Sequence, residues 1–433
     1  MQTFLREIAE KSKRVRGYRF SNLYTMLNEW LLVDSWRYVR KNAASGVDKV
    51  DAREYGKKLQ VNVKALVERL KSKSYRARLI RRQYIPKSPG KVRPLGIPVV
   101  EDKLLQTAAS RILQAIFGAE FKECSYGYQP GRGAHQAIQT LHKELQFGWY
   151  GYVVEADIKG FFDHIDHEWM IKMLEQKISD RPFIKLIKKW LKAGILETDG
   201  QVIHPATGTP QGGIVSPVLA NIYLHYVLDL WFEKVVKPRC KGAVYLFRYA
   251  DDFVCLFQYR HEAQMFYDAL PQRMGKFGLE LSAEKTRILN FSKFRMEEKN
   301  RFDFLGFEFS WGKSLSGKPQ IKRRTSRKKL NKSVEMFTEW CKKNRNWRLR
   351  DLMTILKSKL RGYYNYYGLI GNYAGLREFY DQVKWVLFKW LNRRSQRKSY
   401  NSEEYFKLLK RYGIPRPRVV QRRDYQLTFA KPF

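Results

Sequence analysis

Two adjacent carboxylates interrupt an apolar segment of the chain. The stretch YLFRYADDFVCLF at 245–257 places Asp251 and Asp252 side by side between apolar and aromatic residues. Asp favours turns because its side chain bonds to nearby backbone, so a simple turn is one interpretation. Neighbouring carboxylates also repel one another and resist joint burial unless a cation lies between them. A metal site at the tip of a hairpin is the second interpretation.

A third carboxylate ends another apolar run. Asp157 closes the run YVVEAD at 152–157, which predicts a central strand with this residue at its end. Taken alone, such an Asp is more typical of a helix cap or a turn. On neighbouring strands, however, the three carboxylates could hold two divalent cations about 3.5–4 Å apart, which would activate a 3′-hydroxyl and stabilise a pyrophosphate leaving group. Mg²⁺ suits such a site because it takes one or two carboxylates plus substrate phosphate oxygens.

The elements that would position these carboxylates predict a chain of mixed α and β structure. Helical spacing of apolar residues covers 1–40, 52–72, 101–118, 167–193 and 261–278. In the first segment, the residues predicted to form one buried face are Leu23, Met26, Leu27, Trp30 and Leu31. Strand-like alternation is present at 78–86 and 302–309. The Gly/Pro-rich segment 87–98 predicts a loop, and 207–224 predicts a second loop that runs into a helix.

Charge is the strongest compositional signal. The 433 residues carry 83 Lys and Arg against 42 Asp and Glu, a net charge of +41, and residues 321–433 alone hold 30 basic and 8 acidic side chains. Such an excess repels itself unless a polyanion neutralises it, and nucleic acid is the obvious polyanion. An anionic membrane surface is the competing partner, but the basic residues are spread over segments that look folded. The hydrophobic content of 44% is enough to build real cores.

The cysteines and the N-terminus predict an intracellular protein. The four cysteines are far apart and form no CxxC pair, which argues against a zinc site and a disulfide framework. The N-terminal segment lacks an apolar signal core, and no stretch reaches about 18 uninterrupted apolar residues. We therefore expect a cytoplasmic protein with no membrane partner, which lies on the nucleoid when bound to DNA.

Motifs in a fixed order along the chain resemble those of reverse transcriptases. They are RQYIPKSPGKVRPLGIP, SYGYQPGRGAHQAI, VVEADIKGFFDHIDH, GTPQGGIVSPVLANIYL, YADD, LSAEKTRIL, FDFLGFEF and KLRGYYNYYGLIGN. The first two resemble the fingers of enzymes encoded by bacterial group II introns, and the last resembles their thumb, or maturase X domain. The likeness runs from about residue 35 to residue 395. Any one motif alone is weak, and their order makes the resemblance specific.

This resemblance implies an α+β right-hand polymerase with fingers, palm and helical thumb. The implied parts are an N-terminal extension (1–40), fingers (41–150), a palm of antiparallel sheet and helices (151–317), a thumb or maturase X domain (318–395) and a short basic DNA-binding-like tail (396–433). The tail contains neither Cys nor His, so we expect a form without the zinc-containing endonuclease domain.

The family's active-site roles carry over onto matching positions. Asp157, Asp251 and Asp252 would be the catalytic triad for two Mg²⁺ ions, or Mn²⁺ in their place, with the backbone of Ile158 as a further ligand. Phe162 falls where a bulky residue lies under the nucleotide sugar and excludes a ribose 2′-hydroxyl. The other residues expected to bind the nucleotide are Lys87, Arg93, Gln211 and Lys285, the last of which would also compensate the carboxylate charge. Core packing for the Phe, and solvated surface charge for the cations, are the alternatives.

The resemblance also implies contacts to template, primer and structured RNA. The residues expected to make them are Arg132, Leu305, Gly306, Arg323, Arg324, Lys328, Lys329 and Arg361. Leu305 and Gly306 belong to FLGF, which resembles the hairpin that grips the primer end. Gln129 stands where related sequences often carry a second Arg, which puts a template-phosphate role at this position in doubt. The tyrosines at 363, 364, 366 and 367 are expected to pack in the core of the thumb rather than to stack on nucleic-acid bases.

Three functions stay open at this point. The first is an RNA-directed DNA polymerase encoded by a group II intron. It would use dNTPs, an RNA template with a DNA primer and a target DNA, and would bind intron RNA to assist splicing and mobility. The second is a domesticated reverse transcriptase that acts with a noncoding RNA, for example in phage defence. The third is an RNA-binding splicing cofactor with a dead polymerase, and the intact Asp triad argues against it.

Overall fold

The computed structural model describes residues 3–15, 17–88, 91–209, 212–297, 299–394 and 399–421, which form a mixed α+β structure. The chain divides into two compact units. The first unit consists of Met1–Ala137 with Tyr152–Ile288, and the second of Ile138–Gly151 with Leu289–Phe433. The finer division into fingers, palm, thumb and tail stays a prediction. Among the described residues, no helix has both the length and the apolarity needed to cross a bilayer.

The regular elements are numbered in chain order. The helices are α1 (Thr3–Arg14), α2 (Glu29–Ser35), α3 (Ala52–Lys57), α4 (Leu59–Lys71), α5 (Val100–Phe117), α6 (Ala134–Phe147), α7 (His167–Glu175), α8 (Arg181–Leu191), α9 (Ser216–Leu224), α10 (Lys237–Arg239), α11 (Arg260–Gly275), α12 (Arg327–Asn344), α13 (Leu349–Tyr367), α14 (Tyr373–Leu391) and α15 (Ser402–Arg411). The strands are β1 (Ile80–Ser88), β2 (Lys91–Ile97), β3 (Tyr152–Asp157), β4 (Ile195–Leu196), β5 (Val202–Ile203), β6 (Val244–Tyr249), β7 (Asp252–Phe257), β8 (Arg287–Asn290), β9 (Arg301–Phe304), β10 (Phe307–Lys313) and β11 (Pro319–Thr325).

The N-terminal forty residues are only partly α-helical, which corrects the prediction of one helical segment. Residues 17–28, which lie between α1 and α2, are not helical; they include a turn at 23–26 and an isolated bridge from Phe20 to Ile178. Asn28 ends this stretch by capping α2, because its side chain accepts a hydrogen bond from the Leu31 backbone. The three leucines of the predicted face are buried, but Met26 is half-buried and Trp30 is 59% exposed.

A β-hairpin lies where the sequence predicted a loop. Strands β1 and β2 are antiparallel, with Tyr84 opposite Pro94 and Ile85 opposite Arg93. The sheet order β2-β1-β4-β5 places β2 at an edge, where a strand tolerates proline. The loop prediction was wrong for 91–97 because Gly and Pro end central strands far more reliably than edge strands.

A second four-stranded sheet, with the order β6-β7-β3-β8, carries both carboxylate segments. Strand β7 pairs antiparallel with β6 on one side and with β3 on the other. Consecutive residues such as Val153 and Val154 are both buried, so both faces of this sheet are covered. Helix α11 packs against β3 and β7. The apolar run that ends in Asp157 is therefore a central strand, as predicted, and β7, which begins at Asp252, is the other central strand.

Two predicted helical segments have interruptions. The segment 167–193 consists of α7 and α8, and Asp180 begins the second helix by accepting a hydrogen bond from the Phe183 backbone. Helix α9 continues into two π-helical stretches, His225–Asp229 and Phe232–Val236, before it reaches α10. Such wide turns occur often at functional sites.

The second unit contains the sheet β9-β10-β11 and the helices α12–α15. The segment predicted as one strand at 302–309 is a hairpin, because Leu305 and Gly306 adopt positive φ angles of 51° and 80° and reverse the chain. Tyr364 is buried in the helical core, and the Tyr363 ring stacks on Phe379 with centroids 3.6 Å apart. These two tyrosines are core residues, as predicted.

Candidate active site

The three carboxylates lie at one end of two paired strands. Strand β3 ends at Asp157, β7 begins at Asp252, and these residues are directly opposite in the antiparallel register. Residues opposite one another in such a pair have Cβ atoms about 4.5–5.5 Å apart. Asp251 lies in the two-residue turn between β6 and β7, after Ala250, whose φ is 56°. The predicted meeting of a strand end with a hairpin tip is confirmed.

Lys285 contacts this group of carboxylates. Its Nζ lies 2.5 Å from Asp157 Oδ2. The hydrogen bond to Asp157, together with the negative charges of Asp157, Asp252 and Asp251, raises the pKa of Lys285 above its ordinary value although burial opposes the shift. A positive charge is thus stabilised beside the end of β3, as predicted for this lysine.

The chemistry of these donors fits a hard divalent cation. Carboxylate oxygens are ligands of Mg²⁺, which usually keeps several waters and also takes phosphate oxygens from a substrate. Within the described ranges, no three His, Cys, Asp or Glu side chains converge into a ready-made cage. Asp157, Asp251 and Asp252 could therefore hold cations together with water and substrate oxygens, and the ammonium at 2.5 Å from Asp157 occupies one such position.

A neighbouring backbone segment fixes the end of β3. The Ser282 amide donates to the Asp157 carbonyl at 2.8 Å, and Ile158 forms an antiparallel bridge with Leu281. Ile158 itself is buried. These bonds hold the backbone immediately after the Asp157 side chain, and the sequence analysis did not anticipate them.

Phe161 and Phe162 differ in exposure. Phe161 is 2% exposed, and its ring centroid lies 6.4 Å from that of Tyr223, so it is a core residue. Phe162 is half-buried, and its carbonyl accepts a hydrogen bond from the Thr209 amide at 2.7 Å. This bond ties the turn after β3 to the loop before α9, and Phe162 keeps part of its surface accessible to solvent.

Two other predicted nucleotide contacts, Lys87 and Arg93, belong to β1 and β2. Arg93 is exposed on β2. Gly212 has a φ of 114°, and a methyl carbon placed on it would lie 2.5 Å from the Gly96 carbonyl oxygen, so only glycine allows this approach of the loop to β2. Gln211 lies outside the described residues. So does the side chain of Lys87, whose backbone belongs to β1.

Arg132 and Gln129 bond within their own loop. Arg132 Nη1 donates to the carbonyl oxygens of Lys122, Glu123 and Ser125 at 3.0–3.1 Å. Gln129 Nε2 donates to the carbonyl and to the hydroxyl of Ser125, at 3.0 and 2.8 Å. Gln129 therefore stabilises this loop at the position where an Arg was expected, and one arm of Arg132 is engaged by backbone.

Two residues near the carboxylates were missed by the sequence analysis. Arg248 in β6 is fully buried and donates to both carboxylate oxygens of Asp229. An Arg inside an apolar strand was the available signal, since a buried guanidinium needs a carboxylate partner. Tyr128 has a φ of 55° and is 48% exposed, and burial with the negative charge of Asp251 raises its pKa. No sequence pattern marks Tyr128.

The second unit carries most of the residues predicted to contact nucleic acid. Leu305 and Gly306 form the turn between β9 and β10, and the Leu305 carbonyl accepts a hydrogen bond from the Tyr366 hydroxyl at 2.8 Å. Four predicted basic residues have exposed side chains, namely Arg324, Lys328, Lys329 and Arg361. Their charges are accessible to a polyanion.

Arg323 lies in the interior of the same unit. It is 4% exposed, its Nε donates to the Ile370 carbonyl at 2.9 Å, and its Nη2 donates to Gln421 Oε1 at 2.7 Å. The guanidinium thus ties residues near the end of the described chain to the turn between α13 and α14. We therefore leave Arg323 out of the nucleic-acid interface proposed below.

Comparison with known proteins gives one family match and several relatives. Residues 85–309 match the family model described as reverse transcriptase (RNA-dependent DNA polymerase). The group II intron-encoded protein LtrA of Lactococcus lactis subsp. cremoris is 32% identical over 73% of this chain and 65% of its own length, so this chain spans less than two thirds of LtrA. Protein YkfC of Escherichia coli (strain K12) is 32% identical over 74% of this chain and 90% of its own length. A shorter match, 31% identical over 24% of this chain and 15% of the relative, is to nuclear intron maturase 1, mitochondrial, of Arabidopsis thaliana.

Proposed function

We propose that this chain, which belongs to the reverse transcriptase (RNA-dependent DNA polymerase) family, copies RNA into DNA by extending a DNA primer with dNTPs. The register of Asp157 against Asp252, with Asp251 on the adjoining turn, is the observation that carries this proposal. Three carboxylates at one end of a sheet repel one another, and a protein that only binds RNA gains nothing from that arrangement. A cation-dependent polymerase needs it.

In the proposed enzyme, Asp157, Asp251 and Asp252 hold two Mg²⁺ ions, with Mn²⁺ as a substitute and the backbone of Ile158 as a further ligand. When bound, such ions activate the 3′-hydroxyl of the primer and stabilise the departing pyrophosphate. The β3–β7 ladder fixes the spacing of the carboxylates. Lys285 balances part of their negative charge, as its 2.5 Å contact with Asp157 supports.

The nucleotide would lie between Phe162 and the β1–β2 hairpin. The ring of Phe162 packs under the sugar and leaves no room for a ribose 2′-hydroxyl. Arg93 and Lys87 bind the triphosphate through charge-assisted hydrogen bonds, and Gln211 packs near the sugar. The exposure of Arg93 and the half-burial of Phe162 support these roles.

The second unit would bind the template–primer and structured RNA. Its exposed cations Arg324, Lys328, Lys329 and Arg361 suit phosphate contacts, which give affinity without sequence preference. The Leu305–Gly306 turn would contact the primer end. Because two relatives are named for a group II intron and for an intron maturase, we propose intron RNA as the structured RNA. The protein would then assist splicing and insertion of the intron into a target DNA.

Primer extension on an RNA template in Mg²⁺ tests the polymerase. The wild type is expected to incorporate dNTPs, whereas Asp251→Ala and Asp252→Ala abolish synthesis and keep RNA affinity within a few-fold. DNA synthesis by both variants would contradict the proposal. So would a wild type that binds RNA tightly but synthesises no DNA, and that result would favour a splicing cofactor. Loss of synthesis and of RNA binding together would mean that the carboxylates are structural.

The salt dependence of RNA affinity tests the proposed interface. Log affinity falls with log salt, and each lost phosphate contact lowers the magnitude of that slope by about 0.7–0.9. Replacing Lys328, Lys329 and Arg361 by Gln should therefore lower the magnitude of the slope by about 2–3. The charge-matched control replaces Arg6, Lys71 and Lys237, which are exposed in the first unit and pair with acidic residues, and it should leave the slope unchanged. Equal effects of the two triple variants would exclude a localised interface.

A further inference from the structure

Arg248 is completely buried next to the turn that carries Asp251. Its Nε and Nη2 donate to the two carboxylate oxygens of Asp229 at 2.7 and 2.6 Å, and both side chains are 0% exposed. A bidentate pair of this kind fixes the plane of the guanidinium as well as its position. The remaining N–H groups of Arg248 are therefore aimed at defined acceptors.

Those acceptors belong to the elements that surround the turn. Arg248 Nη1 donates to the Ala250 carbonyl and to Asn221 Oδ1, each at 3.1 Å, and Nη2 donates to Ser125 Oγ at 2.7 Å. Ala250 holds a φ of 56°, a conformation that non-glycine residues adopt rarely. The guanidinium thus bonds to the one residue of the turn whose backbone has to be held in an unfavourable conformation.

The irregular helix after α9 brings the partners of Arg248 together. In a regular α-helix, Asp229 would be rotated about 80° from Asn221, eight positions earlier. The π-helical stretch His225–Asp229 rotates less per residue and returns Asp229 to the face of Asn221. Burial lowers the pKa of His225 to about 4, so its imidazole is neutral at 4.0 Å from Asp229 Oδ2. Arg248 is therefore the cation that compensates Asp229.

The segment 124–128 holds the turn from another side. The Arg248 amide donates to the Cys124 carbonyl at 2.8 Å. A methyl carbon on Gly127 would lie 2.5 Å from the Ala250 nitrogen, so the two backbones are in direct contact. Asn221 Nδ2 donates to the Gly127 carbonyl at 2.7 Å. A strand, a helix and this segment therefore all meet at the Arg248 side chain.

We propose that Arg248 is a positioning residue for polymerisation. Through its bond to the Ala250 carbonyl and its pair with Asp229, it holds Asp251 and Asp252 at the distance from Asp157 that nucleotide transfer requires. A misplacement of about 1 Å in a reacting group can lower a rate by about 100-fold. This inference rests on the proposed polymerase function, and the experiment below distinguishes failure of one from failure of the other.

A double replacement separates positioning from the burial of charge. Removing one partner of a buried ion pair strands the other charge, whereas replacing both with apolar residues of similar volume often preserves stability. Arg248→Met with Asp229→Leu is expected to keep the unfolding temperature and the affinity for template–primer. It should lower kcat by about 10- to 100-fold, with a smaller change in KM for dNTP. Amide hydrogen exchange at 249–252 should become faster, and Mn²⁺ binding should weaken.

Two further variants make the test decisive. Arg248→Lys keeps a cation for Asp229 but lacks the second arm that reaches Ala250, so it should show the same fall in kcat. This variant provides the test if the double variant does not fold. Tyr75→Phe removes a buried 2.6 Å bond to Asp102 elsewhere in the first unit, and it should lower the unfolding temperature without changing kcat.

If both Arg248 variants kept the wild-type kcat and the wild-type rates of hydrogen exchange at 249–252, the inference would be overturned. The proposed polymerase function would still stand. A wild type that extends no primer would instead contradict the proposed function. In that case hydrogen exchange and Mn²⁺ binding, which need no activity, would decide the role of Arg248. Slow exchange and unchanged Mn²⁺ binding in the variants would then overturn the inference.

Discussion

Replacing Lys285 by methionine is expected to tighten the binding of divalent cations. Lys285 Nζ lies 2.5 Å from Asp157 Oδ2, so a metal ion that binds this oxygen has to displace the ammonium. The lysine side chain is 57% exposed and the aspartate side chain 23%, and solvent therefore screens the pair. Ion pairs of this kind contribute about 0.2–1 kcal/mol. Loss of the competing ammonium should strengthen cation binding by roughly 1.4- to 5-fold.

Titration with Mn²⁺, followed by the electron paramagnetic resonance of the free ion, measures this change without any polymerisation. Low ionic strength is needed because salt screens exposed charges. Lys159→Met is the control, since it removes the same charge from a lysine of similar exposure near the end of β3, whose Nζ lies 3.3 Å from Glu280. Weaker Mn²⁺ binding by Lys285→Met would refute the reasoning. So would an equal shift in the control, because the effect would then come from net charge alone.

Two other substitutions test the nucleotide site and the interior. Phe162→Ala should reduce the preference for dNTP over rNTP, measured as the ratio of the two kcat/KM values, by about 10- to 100-fold. The control Phe161→Leu, at a buried position, should leave this ratio unchanged. An unaltered ratio in Phe162→Ala would show that Phe162 does not exclude the ribose 2′-hydroxyl. Burial raises the pKa of Asp102 to about 6 from 3.8, so the folded state holds this proton more tightly. The resulting stability is present below about pH 3.8 and lost as the pH rises through about 6, by about 3 kcal/mol. Asp102→Asn should flatten urea midpoints across this range, and an unchanged pH slope would contradict the assignment.

The carboxylate site could be predicted because its signals are local. An apolar run that ends in Asp157 and a second run broken by Asp251 and Asp252 each predict a strand with an acidic end. Pairing of the two strands follows from their shared burial. The helix α5 and the strand β3 were predicted for the same reason, since apolar spacing over many residues reports which face is buried.

The rest depends on contacts that no spacing encodes. Arg248 and Asp229 lie 19 positions apart and meet only because a π-helical stretch turns the aspartate inward. Strand β2 contains Pro94 and Gly96 and forms because β1 supplies a partner at a sheet edge. Arg323 belongs to a strongly basic segment, and its burial depends on acceptors at Ile370 and Gln421, far along the chain. The composition shows that the segment is basic, but it does not show which of its basic side chains points into the interior.

The central claim is that carboxylates from two strands act as one cation site. Replacing Mg²⁺ with Fe²⁺ and adding ascorbate and peroxide generates radicals at the bound ion, and mass spectrometry then locates the cleaved backbone. We predict cuts close to Asp157 and close to Asp251–Asp252, all of which disappear in Asp157→Ala and equally in Asp251→Ala. Cuts at only one of the two strands, or loss of cleavage at one strand without the other, would contradict a shared site.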